Sequence, residues 1–486
     1  METHFSEQQL KDKDNKSSEK IIRKCVHCGF CNATCPTYQL LGDELDGPRG
    51  RIYLIKDMLE NNKPANEKIV KHIDRCLSCY SCMTTCPTYL LLGDELDGPR
   101  GRIYLIKDML ENNKPANEKI VKHIDRCLSC YGCMTTCPSG VNYMHLIDHG
   151  RSHIEKTYKR PFKDRVIRNF LSKVLSNSTY FRTVGMFTFL VRPFRFIFPK
   201  KIKGMINLMP RKFPKKTLPK MKIYSAKNKK KPIARVALLT GCVQTVISPQ
   251  INEATIRLLN RHDIEVVVPK QIKCCGSLNH HLGKEELARL TFKNNISIWY
   301  DEYLKNGLDA IISNTSGCGT TLKDYGFIFR SDSDFKKKAK KISELTKDIT
   351  EYLNENVKLN FIKKSANEKT YKIAYHSACS MQHGQKIHSE PINLIKKTGN
   401  EVLDIPDGHL CCGSAGTYNL LQSDIANSLL KNKISNIKKV NPQIISTGNI
   451  GCITQIAHGT KIPILHTVEI IDWYTGGLKP KVLENL

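Results

Sequence analysis

The sequence has no run of the ~20 apolar residues that a helix needs to cross a bilayer, which excludes a helical membrane span. Residues Met1 to Lys20 are polar and of mixed charge, so they do not form a secretory signal and the chain is expected in the cytoplasm. There is no Gly-rich phosphate loop of the Rossmann or P-loop type and no nucleophile triad. The chain is therefore not expected to bind its own flavin or nicotinamide. Acidic residues are scarce: 46 Asp+Glu face 76 Lys+Arg, for a formal net charge of +30 over 486 residues. Hydrophobic residues still make up 40% and charged residues 25%, which excludes a disordered chain and suggests roughly three domains.

What the sequence has in excess is cysteine, 20 in all. A reducing compartment disfavours disulfides, so these thiols read as metal ligands, redox groups or inert core residues. Twelve of them form three copies of C-x2-C-x2-C-x3-C-P, offset by 51 residues: Cys25/Cys28/Cys31/Cys35, Cys76/Cys79/Cys82/Cys86 and Cys127/Cys130/Cys133/Cys137. This is the spacing of bacterial ferredoxins, in which three thiolates take three corners of one 4Fe–4S cubane and the fourth serves the other cluster of a pair. Zinc sites need two separated C-x2-C pairs, a pattern these runs do not resemble. Residues 37–87 and 88–138 match everywhere except Gln39/Leu90 and Ser81/Gly132, as a tandem duplication in a two-motif ancestor would produce. Between motifs, Ile52, Ile55, Met58 and Leu59 share a helical face, and 65–73 reads as a second helix after Pro64. The spacing predicts an α-helical two-cluster ferredoxin domain over 15–150.

Residues 151–231 carry 24 Lys+Arg against two acids, Glu155 and Asp164, together with an apolar stretch that includes Phe187, Phe189, Leu190, Phe194, Phe196 and Ile197. This basic helical linker suits an interfacial helix pair on an anionic membrane, or a solvated connector. No nucleic-acid-binding module accompanies it, and no nucleic-acid partner is expected.

The remaining eight cysteines form a second repeat. Cys242, Cys274-Cys275-Gly276 and Cys318 recur 137, 137 and 134 residues later as Cys379, Cys411-Cys412-Gly413 and Cys452. Each unit opens with a strand leading to its first cysteine, followed by alternating helices and strands. Two α/β modules with largely parallel sheets are expected, over 232–365 and 366–486, with the thiols at the carboxyl ends of strands or in the loops that follow. Thiolates repeated in this way point to a second pair of metal or cluster sites, with zinc, a cluster or a redox-active thiol pair as the options. His280, His281, His376 and His383 lie close by as candidate ligands.

The run Cys25-Val-His-Cys-Gly-Phe-Cys-Asn-Ala-Thr-Cys-Pro-Thr-Tyr-Gln-Leu-Leu-Gly-Asp-Glu-Leu-Asp-Gly-Pro-Arg-Gly-Arg-Ile resembles the iron–sulfur subunits of bacterial glycolate oxidase (glycolate dehydrogenase). So do His72-Ile-Asp-Arg-Cys-Leu-Ser-Cys, Leu238-Leu-Thr-Gly-Cys-Val-Gln and Cys411-Cys-Gly-Ser-Ala-Gly-Thr-Tyr-Asn-Leu-Leu-Gln. The resemblance runs from about Lys20 to the C-terminus. It implies an electron-transfer subunit with two 4Fe–4S clusters, or three with the extra motif. FAD would sit only on partner glycolate oxidase subunits that convert glycolate to glyoxylate. A quinone or another acceptor and peripheral contact with the cytoplasmic face of the inner membrane are also implied. This chain would then belong to an oxidoreductase acting on CH–OH donors without itself contributing catalytic residues. The ferredoxin and double-cysteine motifs also occur in D-lactate, glycerol-3-phosphate and heterodisulfide-type systems; a zinc-binding scaffold is the alternative without electron transfer. Two features depart from the resemblance. The family carries two ferredoxin motifs, not three. The C-x2-C ending of heterodisulfide reductases is replaced here by Cys318…Thr321 and Cys452…Gln455, which argues against that family's unusual cluster chemistry.

Overall fold

The computed structural model describes residues 2–23, 38, 42–74, 85–112, 114–137, 141–194, 196–198, 203–204, 206, 213–214, 222–227, 231–272, 274–362 and 369–484. Cys25, Cys28, Cys31 and Cys35 of the first motif, and Cys76, Cys79 and Cys82 of the second, lie outside the described residues. Cys86 and every cysteine after it are described. The chain forms two compact units, Met1–Thr84 and Thr85–Leu486.

In the first unit a helix over Pro48–Glu60 is followed by one over Glu67–Asp74. The same sequence recurs in the second unit as helices Pro99–Glu111 and Glu118–Asp125. Each long helix starts at a proline, whose missing N–H and fixed φ suit the first helical position. The shorter helices begin two residues later than the pattern suggests, because Asn66 and Asn117 act as caps: their side chains accept from Ile69 N and Ile120 N, both at 2.9 Å. The turn before each long helix passes so close that a Cβ on Gly50 or Gly101 would collide with the backbone of Glu44 or Glu95.

The second unit continues through helices Tyr143–Thr157, Phe162–Leu175 and Ser178–Val191 into two sheets. The strands are β1 (Ile223–Tyr224), β2 (Ala234–Leu239), β3 (Ile264–Val267), β4 (Ala310–Ser313), β5 (Thr346–Asp348), β6 (Lys372–Tyr375), β7 (Glu401–Leu403), β8 (Ile444–Thr447) and β9 (Ile464–His466). The first sheet has the order β1-β3-β2-β4-β5, parallel except for the edge strand β1. The second has the order β7-β6-β8-β9 and is parallel throughout. Helices cover both faces, so the inner strands are continuous apolar runs, as in Val236-Ala-Leu-Leu239 and Ala310-Ile-Ile312. The α plus tandem α/β architecture expected from the sequence is the one observed.

The two modules meet at the ends of their sheets. Ser316 Oγ lies 2.7 Å from Ser380 Oγ, and Thr320 Oγ1 donates to Ser380 O at 2.9 Å. On the far side, Arg257 and Arg261 of one module hold the buried Asp472 of the other at 2.7 and 2.9 Å.

Candidate metal centre

The strands aim the chain at a common region. β2 and β6 end three and four residues short of Cys242 and Cys379, so each first cysteine sits just beyond its strand. Cys318 and Cys452 lie in the first turns of helices Ser316–Ile328 and Ile450–Ala457, where the sequence suggests strand ends or loops. The strand-to-helix turns after β4 and β8 are tight enough that helix begins before the cysteine is reached.

In each Cys-Cys-Gly run the glycine adopts a positive φ, +84° at Gly276 and +87° at Gly413. An L side chain is strained there, and a Cβ would strike Phe292 or the backbone of Ala426. This geometry turns the glycine N–H back onto the first thiol of the pair, to Cys274 Sγ and Cys411 Sγ, each at 3.4 Å.

The thiols of each module converge. Cys242 Sγ and Cys274 Sγ share a hydrogen bond at 3.7 Å, and Cys275 hydrogen-bonds to Cys274 and Cys318. Hydrogen bonds from Cys242 and Cys275 hold Cys274 well below the ordinary thiol range. In the second module Cys379 pairs with Cys411, and Cys412 with Cys411 and Cys452. Its hydrogen bond to Cys411, then burial, pushes Cys379 up. Sites this dry hold several thiolates only with compensating positive charge, which is the environment a metal group supplies.

The third ferredoxin motif adjoins them. Cys86, the last thiol of the second motif, lines one small cavity with Cys127, Cys130 and Cys133 of the third. Tyr143 Oη donates to Cys127 Sγ at 3.6 Å, and Val141 N donates to Cys137 Sγ at 3.5 Å. Burial pushes Cys130 up, and next come its neighbours Cys379, Cys86 and Cys133, which places it between the ferredoxin thiols and the second module. His383 completes that contact by pairing with Thr135 Oγ1 at 3.0 Å. Cys127, Cys130 and all eight thiols of the two modules line one cavity of about 590 Å3. Its outer wall is apolar and includes Leu171, Val174, Phe181 and Phe187 from the basic segment.

Behind Cys86 lies a buried polar network. Asp97 is fully buried and takes His123 Nδ1 at 3.0 Å, Arg126 at 2.7 Å and Arg102 at 3.4 Å. Arg102, 1% exposed, also donates to His123 O at 2.7 Å, to Thr88 Oγ1 at 3.1 Å and to Cys86 Sγ at 3.8 Å. The first unit repeats the core of this network in Asp46, Arg51 and His72. The Gly-Asp-Glu-Leu-Asp-Gly-Pro-Arg-Gly-Arg stretch thus has a structural role that motif spacing did not reveal.

The four candidate histidines separate. His280 and His281 are held by Asp148, and His280 also by Glu285 at 2.9 Å, so neither faces the thiols as a free donor. His383 bridges to the ferredoxin motif, as above. His376 gathers with two module thiols, Cys412 and Cys452.

Comparisons with known proteins agree with this layout. The 4Fe-4S dicluster domain family matches residues 21–90 and 71–141, and the cysteine-rich CCG domain family matches 236–323 and 373–457. The chain is 35% identical to the glycolate oxidase iron-sulfur subunit of Escherichia coli over 472 residues, 97% of this chain and 98% of that protein. This chain belongs to the family of glycolate oxidase iron–sulfur subunits. A probable glycolate oxidase iron-sulfur subunit of Bacillus subtilis is 28% identical over 79% of this chain and 88% of its own length. Lactate utilization protein A of a Geobacillus species is 24% identical across 49% of this chain and 99% of its own length. As an iron–sulfur subunit of this family, the chain has a cysteine set whose burial and convergence fit iron–sulfur clusters.

Proposed function

We propose that the chain carries electrons from an FAD-bearing partner, which oxidises glycolate to glyoxylate, towards a quinone. The observation that carries this reading is the single cavity shared by the third-motif thiols and both thiol modules. Clusters accept and release single electrons, and their potentials are tuned by burial and hydrogen bonding. The residues of this chain supply the ligands, the spacing and the electrostatic setting; none is assigned to substrate.

The proposed ligands are Cys86 with Cys127, Cys130 and Cys133 for one cubane; by motif spacing Cys137, Cys76, Cys79, Cys82, Cys25, Cys28, Cys31 and Cys35 are further cluster ligands. What supports this pairing is the cavity that Cys86 shares with the first three thiols of the third motif. Cys242, Cys274, Cys275 and Cys318, and Cys379, Cys411, Cys412 and Cys452, hold two further metal groups, which we assign as iron-containing rather than zinc.

The quinone and membrane parts of the reading rest on the basic segment. Phe187 both lines the cavity and is 62% exposed, and Leu190, Phe194, Phe196 and Ile197 beside it are exposed as well. An apolar patch of this kind on a strongly basic segment suits the surface of an anionic bilayer, here the cytoplasmic face of the inner membrane. A lipophilic acceptor would reach the thiols along the same apolar wall.

A Cys127→Ser variant in the complete complex tests the relay. Glycolate should still reduce the flavin of the partner, while electron delivery to a quinone analogue falls by at least tenfold. Unimpaired quinone reduction would refute the reading. D-lactate and glycerol-3-phosphate serve as parallel donors; activity with D-lactate alone would move the chain to a lactate system.

A further inference from the structure

We infer that His376 is a metal ligand of the second cysteine module, acting with Cys412 and Cys452, and that the first module has no counterpart. The inference rests on the proposal that the modules hold metal. It adds a donor of a different chemical kind at one of the two sites.

The carrying observation is a buried imidazole with nothing to bond. His376 is 0% exposed, and neither ring nitrogen has a hydrogen-bond partner. The other buried histidines among the described residues each have one: His72, His123, His262, His383 and His466. An imidazole left dry and unbonded loses its hydrogen bonds to water with nothing in return. Coordination satisfies a ring nitrogen in the place where donors already gather. The ligand atoms of His376, Cys412 and Cys452 all lie within 4.8 Å of one another. The backbone fixes the residue there, because His376 follows β6 directly and its N–H donates to Ser446 O of β8 at 2.8 Å.

The repeat makes the asymmetry visible. Cys412 aligns with Cys275 at the 137-residue offset, and so does Cys379 with Cys242, but His376 aligns with Leu239. A second difference lies beside it. Lys433 is 2% exposed, and its charge is felt by Cys379, Cys411, Cys412 and Cys452. The residue 137 positions earlier is Ile296, packed with Cys275 in an apolar cluster. The second site therefore exchanges an apolar neighbour for a neutral nitrogen donor and gains a nearby cation. The added imidazole brings no negative charge and the nearby cation favours the reduced form, and net charge is one of the levers that set the potential of an iron–sulfur centre. The second module, which adjoins Cys130, is thus built to hold an electron more favourably than the first.

The test uses the full-length protein reconstituted anaerobically with ferrous iron and sulfide, with 15N-labelled histidine against a 14N control. Pulsed electron paramagnetic resonance should show strong nitrogen coupling from a bound imidazole. The coupling should vanish in His376→Ala, with loss of iron from the second module. His376→Cys should retain iron without the coupling and show a lower midpoint potential, which separates ligation from a folding defect. Coupling unchanged in His376→Ala, or absent from wild-type protein that retains module iron, would overturn the inference. The ferredoxin cubanes serve as an internal reference. Module iron beyond that of the cubanes with no nitrogen coupling fails this inference alone, whereas cubanes with no module iron fail the underlying proposal as well.

Discussion

Replacing Arg102 by Met should lower the reduction potential of the cluster proposed to share Cys86. The guanidinium is buried and lies 3.8 Å from Cys86 Sγ, and Cys127 also feels its charge. Two unit charges 4 Å apart interact by about 4 kcal/mol at an effective dielectric of 20. An added electron is spread over the cluster and lies farther away on average, which reduces the effect to about 2 kcal/mol. At ~59 mV per 1.4 kcal/mol for one electron, the midpoint should fall by about 80 mV. The assay is a redox titration followed by low-temperature electron paramagnetic resonance, with wild type and variant prepared alike. Arg102→Met also leaves the fully buried Asp97 with one cation fewer, and breaking such a network costs about 3–5 kcal/mol. Arg102→Lys controls for this, because it keeps the charge and loses the planar fork to Thr88 and His123. The lysine variant should recover most of the 80 mV even if it is less stable, on the same estimate. A midpoint unmoved in Arg102→Met with the cluster intact would refute the electrostatic role. A drop of equal size in both variants would assign the effect to altered structure.

Three further outcomes follow from the same structure. Deleting residues 37–87 removes the second motif and puts Cys35 at the sequence position of Cys86, so the ferredoxin iron content should be unchanged; loss of about four irons per chain would mean that the extra motif holds its own cluster. Asp348 is fully buried with Oδ2 unpartnered, and burial pushes its carboxyl up to about 6. The folded state therefore holds a proton that the unfolded state releases, so this group reduces stability as pH rises from about 4 to 6, by about 3 kcal/mol in total. Asp348→Asn keeps a side-chain cap on the Ile349–Asn356 helix, and its melting temperature should gain on wild type across that window; a constant difference would contradict the shift. Phe187→Ser with Leu190→Ser, at positions 62% and 70% exposed, should reduce binding to anionic vesicles at least tenfold without altering iron content. Unchanged vesicle binding would remove the membrane from the account.

The 137-residue cysteine repeat was legible as two α/β modules because parallel strands with both faces covered read as continuous apolar runs, and the thiols follow them at fixed distance. The ferredoxin spacing was equally plain, since ligation fixes it. Which motifs associate was not, because the three runs are equivalent in sequence; only the packing of Cys86 beside Cys127, Cys130 and Cys133 distinguishes them. Asp97 and Arg102 lie in the second copy of the run that resembles the glycolate oxidase subunits, and their role depends on burial behind Cys86, which spacing does not reveal. The one-sided placement of His376 was present in the alignment of Tyr371–Cys379 with Ala234–Cys242. The sequence does not single His376 out from the other three candidate histidines, because a histidine at the end of a strand is usually satisfied by its neighbours, and here it is not. The role of the Phe162–Leu175 and Ser178–Val191 helices as one wall of the thiol cavity required tertiary structure, because their amphipathic pattern suits a membrane face and an internal wall alike.

In the proposed function, electrons from glycolate pass through the thiol-held clusters of this chain. It is tested most directly on anaerobic membranes carrying the chain with its native partners, frozen after glycolate is added and examined by low-temperature electron paramagnetic resonance. Reduced-cubane signals should appear with glycolate and be lost in Cys127→Ser. Cubanes that dithionite reduces and glycolate leaves oxidised would contradict it.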